Sequence, residues 1–189
     1  MALLRACGIW LLTAVWLFLG GSAGMATAAT GEATGEYELK AVFLLNFALF
    51  VEWPPESSPA PGAPLVIGIL GQDPFGSVLD DTVRGETANG RALMVRRYRR
   101  AEDVENCHIL FIDRSEAARL PLILKGLQGR SVLTVGDFDG FNRGGGVIRF
   151  IIVNNKLKLR ISLDAAKNAK LTISSKLLRP AEIVASGED

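Results

Sequence analysis

Polar and apolar positions follow several different periods along this chain, and each period predicts an element. From Ala41 to Val51 (AVFLLNFALFV) the residues are apolar on every side, with Asn46 the one polar interruption. The surrounding stretch, Glu36 to Trp53, predicts one helix, stopped by Pro54-Pro55, where no helical N–H can be supplied. A surface helix would carry an apolar stripe. This one is therefore sandwiched inside the domain or covered by another chain. Leu65–Leu70 (LVIGIL), His108–Ile112 (HILFI) and Ser131–Val135 (SVLTV) are short unbroken apolar runs of the kind buried on both faces of a sheet. Ala92–Tyr98, led by the turn signal Asn89-Gly90, predicts a further strand. Between these runs lie two predicted helices, Phe75–Val83 and a second one capped by Ser115 and closed by Gly129.

The last third changes character. Val147–Val153 and Leu157–Leu163 flank Asn154-Asn155, a pair that tolerates positive φ and predicts a tight hairpin. In the second of these strands Leu157, Leu159, Ile161 and Leu163 alternate with Lys158, Arg160 and Ser162. That alternation predicts one wet face, at a sheet edge where cations discourage stray pairing. Asp164 is the expected cap of a short helix, and Leu171–Leu178 the last ordered piece. Strands alternating with helices predict a single α/β domain, a three-layer sandwich. Its sheet is mostly parallel, of about six strands, with a C-terminal antiparallel hairpin.

The N-terminus is an address. Arg5, the apolar run Gly8–Leu19 and the small residues ending in Ala26-Thr27-Ala28 follow the order of a cleaved secretory signal peptide over residues 1–28. The apolar core is short of the ~20 residues that span a bilayer. Residues 29–35 then read as a mobile leader and 36–185 as the folded domain. With 49% hydrophobic and 22% charged residues and a formal net charge of +1, the chain is globular and lacks the basic excess of a nucleic-acid binder. The charge is uneven. From Phe141 to Pro180 there are nine basic residues and one acid, and Arg96-Arg97-Tyr98-Arg99-Arg100 forms a second basic cluster.

The candidate chemistry is sparse. Cys107 and His108 are neighbours on a strand, so their side chains point to opposite faces and cannot form a nucleophile–base dyad. His108 is the only histidine, which removes most zinc sites and the serine triad. Asp137–Asn142 (DFDGFN) opens like a calcium loop, but its glycine falls early and Ile148 stands where the bidentate acid belongs. No catalytic, cofactor or metal residue is assigned. What remains is positional: the loops after parallel strands form the ligand crevice of such sheets, which here gathers Asp73, Phe75, Ser115, Glu116, Asp137 and Phe141.

The run Glu38–Phe47 through Phe50-Val51-Glu52-Trp53-Pro54 resembles the opening signature of the YfiR/HmsC-like family. So do Ile67–Gly71 with Asp73-Pro74-Phe75-Gly76, Cys107–Ile112 with Ser115-Glu116, Val132–Asp137 with Phe141, and Gly145–Phe150. The resemblance is collinear over nearly all of the chain beyond the signal. It implies a small periplasmic α/β protein without enzymatic activity that represses an inner-membrane diguanylate cyclase by binding its periplasmic sensor domain. It also implies sequestration by an OmpA-like outer-membrane lipoprotein. Some members use cysteine pairs, and a chain left with Cys107 alone cannot form one internally. On this reading Leu45, Phe47, Phe50 and Trp53 form an apolar contact with the sensor domain or with a second copy of the chain, and Arg96 and Arg97 steer association. The rival reading is an exported small-ligand receptor using the crevice.

Overall fold

The structure, a computed structural model, describes residues 27–57, 62–185 and 187–188. The chain divides into two compact units, Met1–Ala33 and Thr34–Asp189, and the fold below is that of the second. The expected signal peptide, up to residue 26, lies outside the described residues. Helix α1 runs Thr27–Phe50, so residues 29–35, which the sequence suggested as a leader, are helical backbone. The chain leaves α1 into a two-residue strand, β1 (Val51–Glu52), before Pro54.

The central sheet contains β2 (Leu65–Leu70), β3 (Thr87–Ala88), β4 (Arg91–Tyr98), β5 (Ile109–Ile112), β6 (Leu133–Gly136), β7 (Ile148–Val153), β8 (Lys156–Ser162) and β10 (Glu182–Val184). Their order is β10-β8-β7-β6-β5-β2-β4-β3, eight strands rather than about six. The pairs β4–β2–β5–β6–β7 are parallel, and β7–β8 is the antiparallel hairpin. Asn154 and Asn155 at its tip take φ values of 51° and 58°, the mirror-image turn that matches strand twist. A ninth strand, β9 (Thr172–Ile173), pairs only with β1 and ties the end of α1 to the C-terminal segment.

Alternation along the strands builds two cores. On one face Ile67, Ile69, Ile109, Phe111, Val135, Ile148 and Phe150 pack with Ala41, Leu44, Phe47 and Ala48 of α1 and Leu79 of α2 (Ser77–Val83). On the other, Leu110 and Ile112 meet Leu120, Ile123 and Leu127 of and just after α3 (Leu120–Gly126). Both faces of β5 are thus covered, as its unbroken apolar run requires.

Three local expectations are corrected. The strand β8 is not at the edge, because β10 pairs with it in parallel and Arg160 Nη2 meets Glu182 at 3.1 Å across that pair. Asp113, not Ser115, caps the turn after β5. Its carboxylate accepts the Ser115 N–H at 2.9 Å, the turn is 3-10 over Arg114–Arg119, and α3 starts afresh with Pro121 in its first turn. Helix α4 (Leu163–Asn168) is capped by Ser162, whose hydroxyl accepts from Ala165, while Asp164 sits inside its first turn. Helix α5 (Ser175–Leu178) and β10 complete the chain order, β10 following the segment expected to be last.

Candidate functional site

The direction of chain crossing reverses between two neighbouring strands. From β2 the chain crosses through α2, on the α1 face, to β4; from β5 it crosses through α3, on the opposite face, to β6. Loops leaving neighbouring strands in opposite directions open a crevice at their carboxyl ends. A cavity of about 810 Å³ occupies that place. It is bounded by Gln72 after β2, Asp113–Ser115 after β5, Asp137 and Asp139 after β6, the run Arg149–Ile152 of β7, Leu157 of β8, and Glu36, Tyr37 and Lys40 of α1.

Its most unusual feature is a buried cation. Lys40 is 2% exposed, yet its Nζ lies 2.6 Å from Glu36 Oε1, one helical turn earlier, and 2.6 Å from Asp137 Oδ2. The Tyr37 hydroxyl donates to the same Asp137 oxygen at 3.0 Å, and the ammonium stands 4.2 Å from the Tyr37 ring centroid. Burial, with the Asp137 charge behind it, raises the Tyr37 hydroxyl well above the usual phenol range. A buried charge is tolerable only with such partners. Arg149, also buried, pairs with Asp139 from the other side of β7.

Of the six expected crevice residues, Ser115 and Asp137 line the cavity. Asp73 is turned away: its carboxylate accepts from Phe75 N–H and Gly76 N–H and pairs with Arg97 Nε at 2.8 Å. Phe75 is a core residue, edge-on to Phe111 at 4.9 Å and to Tyr37 at 5.3 Å. Glu116 is buried against Arg119. Phe141 is fully buried in the second core, so close to the backbone that a Cβ at Gly136 or Gly146 would collide with its ring. Sequence reasoning missed Tyr37, Lys40 and Arg149. The signal available was Glu36 and Lys40 four residues apart at the head of an otherwise apolar helix.

The expected contact residues also separate. Phe47 is fully buried and stacks on Phe150, ring centroids 5.9 Å apart. Leu45, Phe50 and Trp53 are half-buried, Phe50 beneath Lys176 and Trp53 edge-on to His108. The side of α1 turned from the core instead presents Leu39, Val42 and Leu49, each 40–45% exposed. Arg97 is committed to Asp73, Asp80 and the Gly76 carbonyl, which raises its pKa and draws the Asp80 carboxyl below its usual value. Arg96 is exposed.

Cys107 and His108 are each occupied. The Cys107 thiol is 3.0 Å from the Ile109 carbonyl, and burial pushes its pKa up to about 12. His108 Nδ1 accepts from Val66 N–H at 3.1 Å, Arg91 Nη2 stands 3.1 Å from Nε2, and burial followed by the Arg91 charge lowers the ring's pKa to about 4. No cluster of three or more His, Cys, Asp or Glu side chains among the described residues could hold a metal. No described helix is long and apolar enough to cross a membrane.

A family model described as YfiR/HmsC-like matches residues 37–182. No curated protein matches the chain. Two solved structures share its fold at 12% identity. One, described as the ABC domain in complex with L-Trp from Streptococcus pneumonia, has a TM-score of 0.51 with 78% of this chain and 60% of that chain covered. The other, a conserved domain protein from Vibrio cholerae O1 biovar El Tor, has a TM-score of 0.53 with 79% and 60% covered. The chain thus spans about 60% of the length of each.

Proposed function

The chain belongs to the YfiR/HmsC-like family, and from that we propose that it is a periplasmic regulator. It binds the periplasmic sensor domain of an inner-membrane diguanylate cyclase, holds the enzyme inactive and so lowers cyclic-di-GMP and biofilm formation. An OmpA-like outer-membrane lipoprotein relieves the repression by sequestering it. The family match over residues 37–182 carries this reading. The apolar stripe Leu39–Val42–Leu49 supports it, because three large aliphatic side chains on one side of a helix are the kind of surface a partner covers.

The test is association of the purified chain with the isolated sensor domain, followed by calorimetry. Leu39→Lys with Val42→Lys should weaken binding at least tenfold and raise cyclic-di-GMP in cells. A wild-type chain that does not bind the sensor domain, or a cyclase equally active with and without it, overturns the proposal. The crevice favours a second reading, an exported small-ligand receptor. A charged lining whose buried cations are already paired argues against it, since small-molecule pockets are mostly apolar with a few convergent polar groups.

A further inference from the structure

At the amino end of the strands, far from the crevice, hydrogen-bond donors outnumber acceptors. His108, just ahead of β5, is bonded twice to Val66 of β2. Its own N–H donates to the Val66 carbonyl at 3.0 Å, and its Nδ1 accepts the Val66 N–H at 3.1 Å. A neutral imidazole carries one proton, and with Nδ1 accepting, that proton sits on Nε2. The group facing Nε2 at 3.1 Å is Arg91 Nη2, which can only donate. Two donors therefore meet across that gap.

Arg91 is not free to turn aside. Its Nε donates to the Ala63 carbonyl and its Nη2 to the Pro64 carbonyl, each at 3.0 Å, which fixes the guanidinium with Nη1 unused by the described residues. Burial draws its pKa down, and among the described residues no carboxylate pairs with it to offset that effect. Lys40, by contrast, has two carboxylates. Trp53 stands edge-on to the His108 ring with centroids 6.0 Å apart, and its buried Nε1–H has no acceptor. The cluster thus holds one unbalanced positive charge and N–H groups on three side chains that no protein group takes.

We propose that Arg91, His108 and Trp53 bind a small monocarboxylate at the amino end of the strands. One of its oxygens takes the His108 Nε2–H and the other an Arg91 N–H, which ends the conflict between the two donors; the Trp53 N–H is the third donor. The unpaired groups select the occupant. One unpaired cation calls for one negative charge, and a dianionic phosphate would bring a second, uncompensated charge into a partly dry place. Neighbouring N–H groups are met together by the paired oxygens of a carboxylate. His108 is 5% exposed and Arg91 half-buried, so the carboxylate arrives on a short stem, as a free small acid does. The inference goes beyond the cyclase reading, and its test does not need the cyclase.

The probe is sodium acetate, titrated into the isotope-labelled full chain while sodium chloride is lowered to hold ionic strength constant. NMR follows the Trp53 indole N–H and the His108 ring nitrogens. Both signals should move along one saturating curve with millimolar half-saturation. Inorganic phosphate at the same ionic strength should need at least tenfold higher concentration. Acetate should also raise Tm, because the donors are brought together only in the folded chain. Arg91→Gln should abolish the response. That variant also loses bonds to Ala63 and Pro64, so if it does not fold, Trp53→Phe makes the second test. It deletes an N–H that no protein group uses and should weaken acetate at least threefold. No saturable shift at tenths-molar acetate overturns the proposal, and an ordered water that acetate does not displace gives that result. So does phosphate binding as tightly as acetate, or a response that survives in a folded Arg91→Gln chain or is unchanged in Trp53→Phe.

Discussion

The two ends of the parallel sheet each bury ionisable groups, and they do so in opposite ways. At the amino end of the strands His108 is 5% exposed and kept neutral. Its Nδ1 takes the Val66 N–H, and the Arg91 guanidinium beside it discourages a second proton. At the carboxyl end Lys40 is equally hidden but meets two carboxylates, with a tyrosine hydroxyl on one of them. One end is closed by discharging the group; the other keeps its charges and surrounds a cavity. The difference teaches where function can sit. A neutral, hydrogen-bonded ring has one N–H left to offer a ligand, while an ion-paired cluster stays polar, and its outer members can exchange one another for a ligand's groups.

The strongest way to break the comparison is to remove the cation. Lys40→Met should cost ~3–5 kcal/mol in urea unfolding, because Asp137 is then left buried and uncompensated. Adding Asp137→Asn should restore much of that loss. A single mutant within 1 kcal/mol of wild type would mean that the carboxyl end is wetter than its burial implies.

The amino end is tested by pH. The native ring titrates near 4 and an unfolded histidine near 6.5. Above pH 6.5 neither state binds the proton and the native state has its full stability. As pH falls from about 6.5 towards about 4, the unfolded chain takes up a proton that the native ring refuses, and stability is lost. The wild type should lose roughly 2–3 kcal/mol more than His108→Gln across that window. Parallel pH profiles of the two proteins would show that the ring is not held neutral.

Tyr37→Phe probes the carboxyl end more gently. It deletes one hydrogen bond to a charged acceptor and should cost about 1.5–3 kcal/mol, less if water replaces the hydroxyl. The smallest effect belongs to neither end. Leu39→Lys with Val42→Lys, on the exposed side of α1, should change stability by only about 0.5 kcal/mol while weakening a partner. A larger loss would place that side of α1 in the core.

Why the sequence showed the sheet and not the cluster follows from the same contrast. The strands β2, β5 and β6 are buried on both faces, so their apolar runs are unbroken, and Asn154-Asn155 marks the hairpin. Strands β3, β9 and β10 have two or three residues each, too few to show a period, and hiding β10 made β8 look like an edge. In the helix, a lysine reads as a solvent-facing residue. Its partner Asp137 is 97 positions away, a distance no local pattern spans. Phe141 was misplaced for a related reason. It follows a strand and so counts as a loop residue, but the glycines at 136 and 146 let its ring sink between two backbones. Asp137 and Ser115 were legible because position alone, just after a strand, brings them to the crevice.

The close approach of Cys107 to β2 gives the fold a built-in clock. Its sulfur lies so near Gly68 that a methyl group there would collide with it, and burial suppresses the thiolate that alkylating reagents require. Modification must therefore wait until the segment just ahead of β5 lifts away from β2. In a large excess of reagent the labelling rate then approaches the rate at which this contact opens; at low reagent it follows the fraction of molecules open at any moment. One native side chain, followed by mass spectrometry, reports how often the approach to β5 comes away from Gly68 of β2.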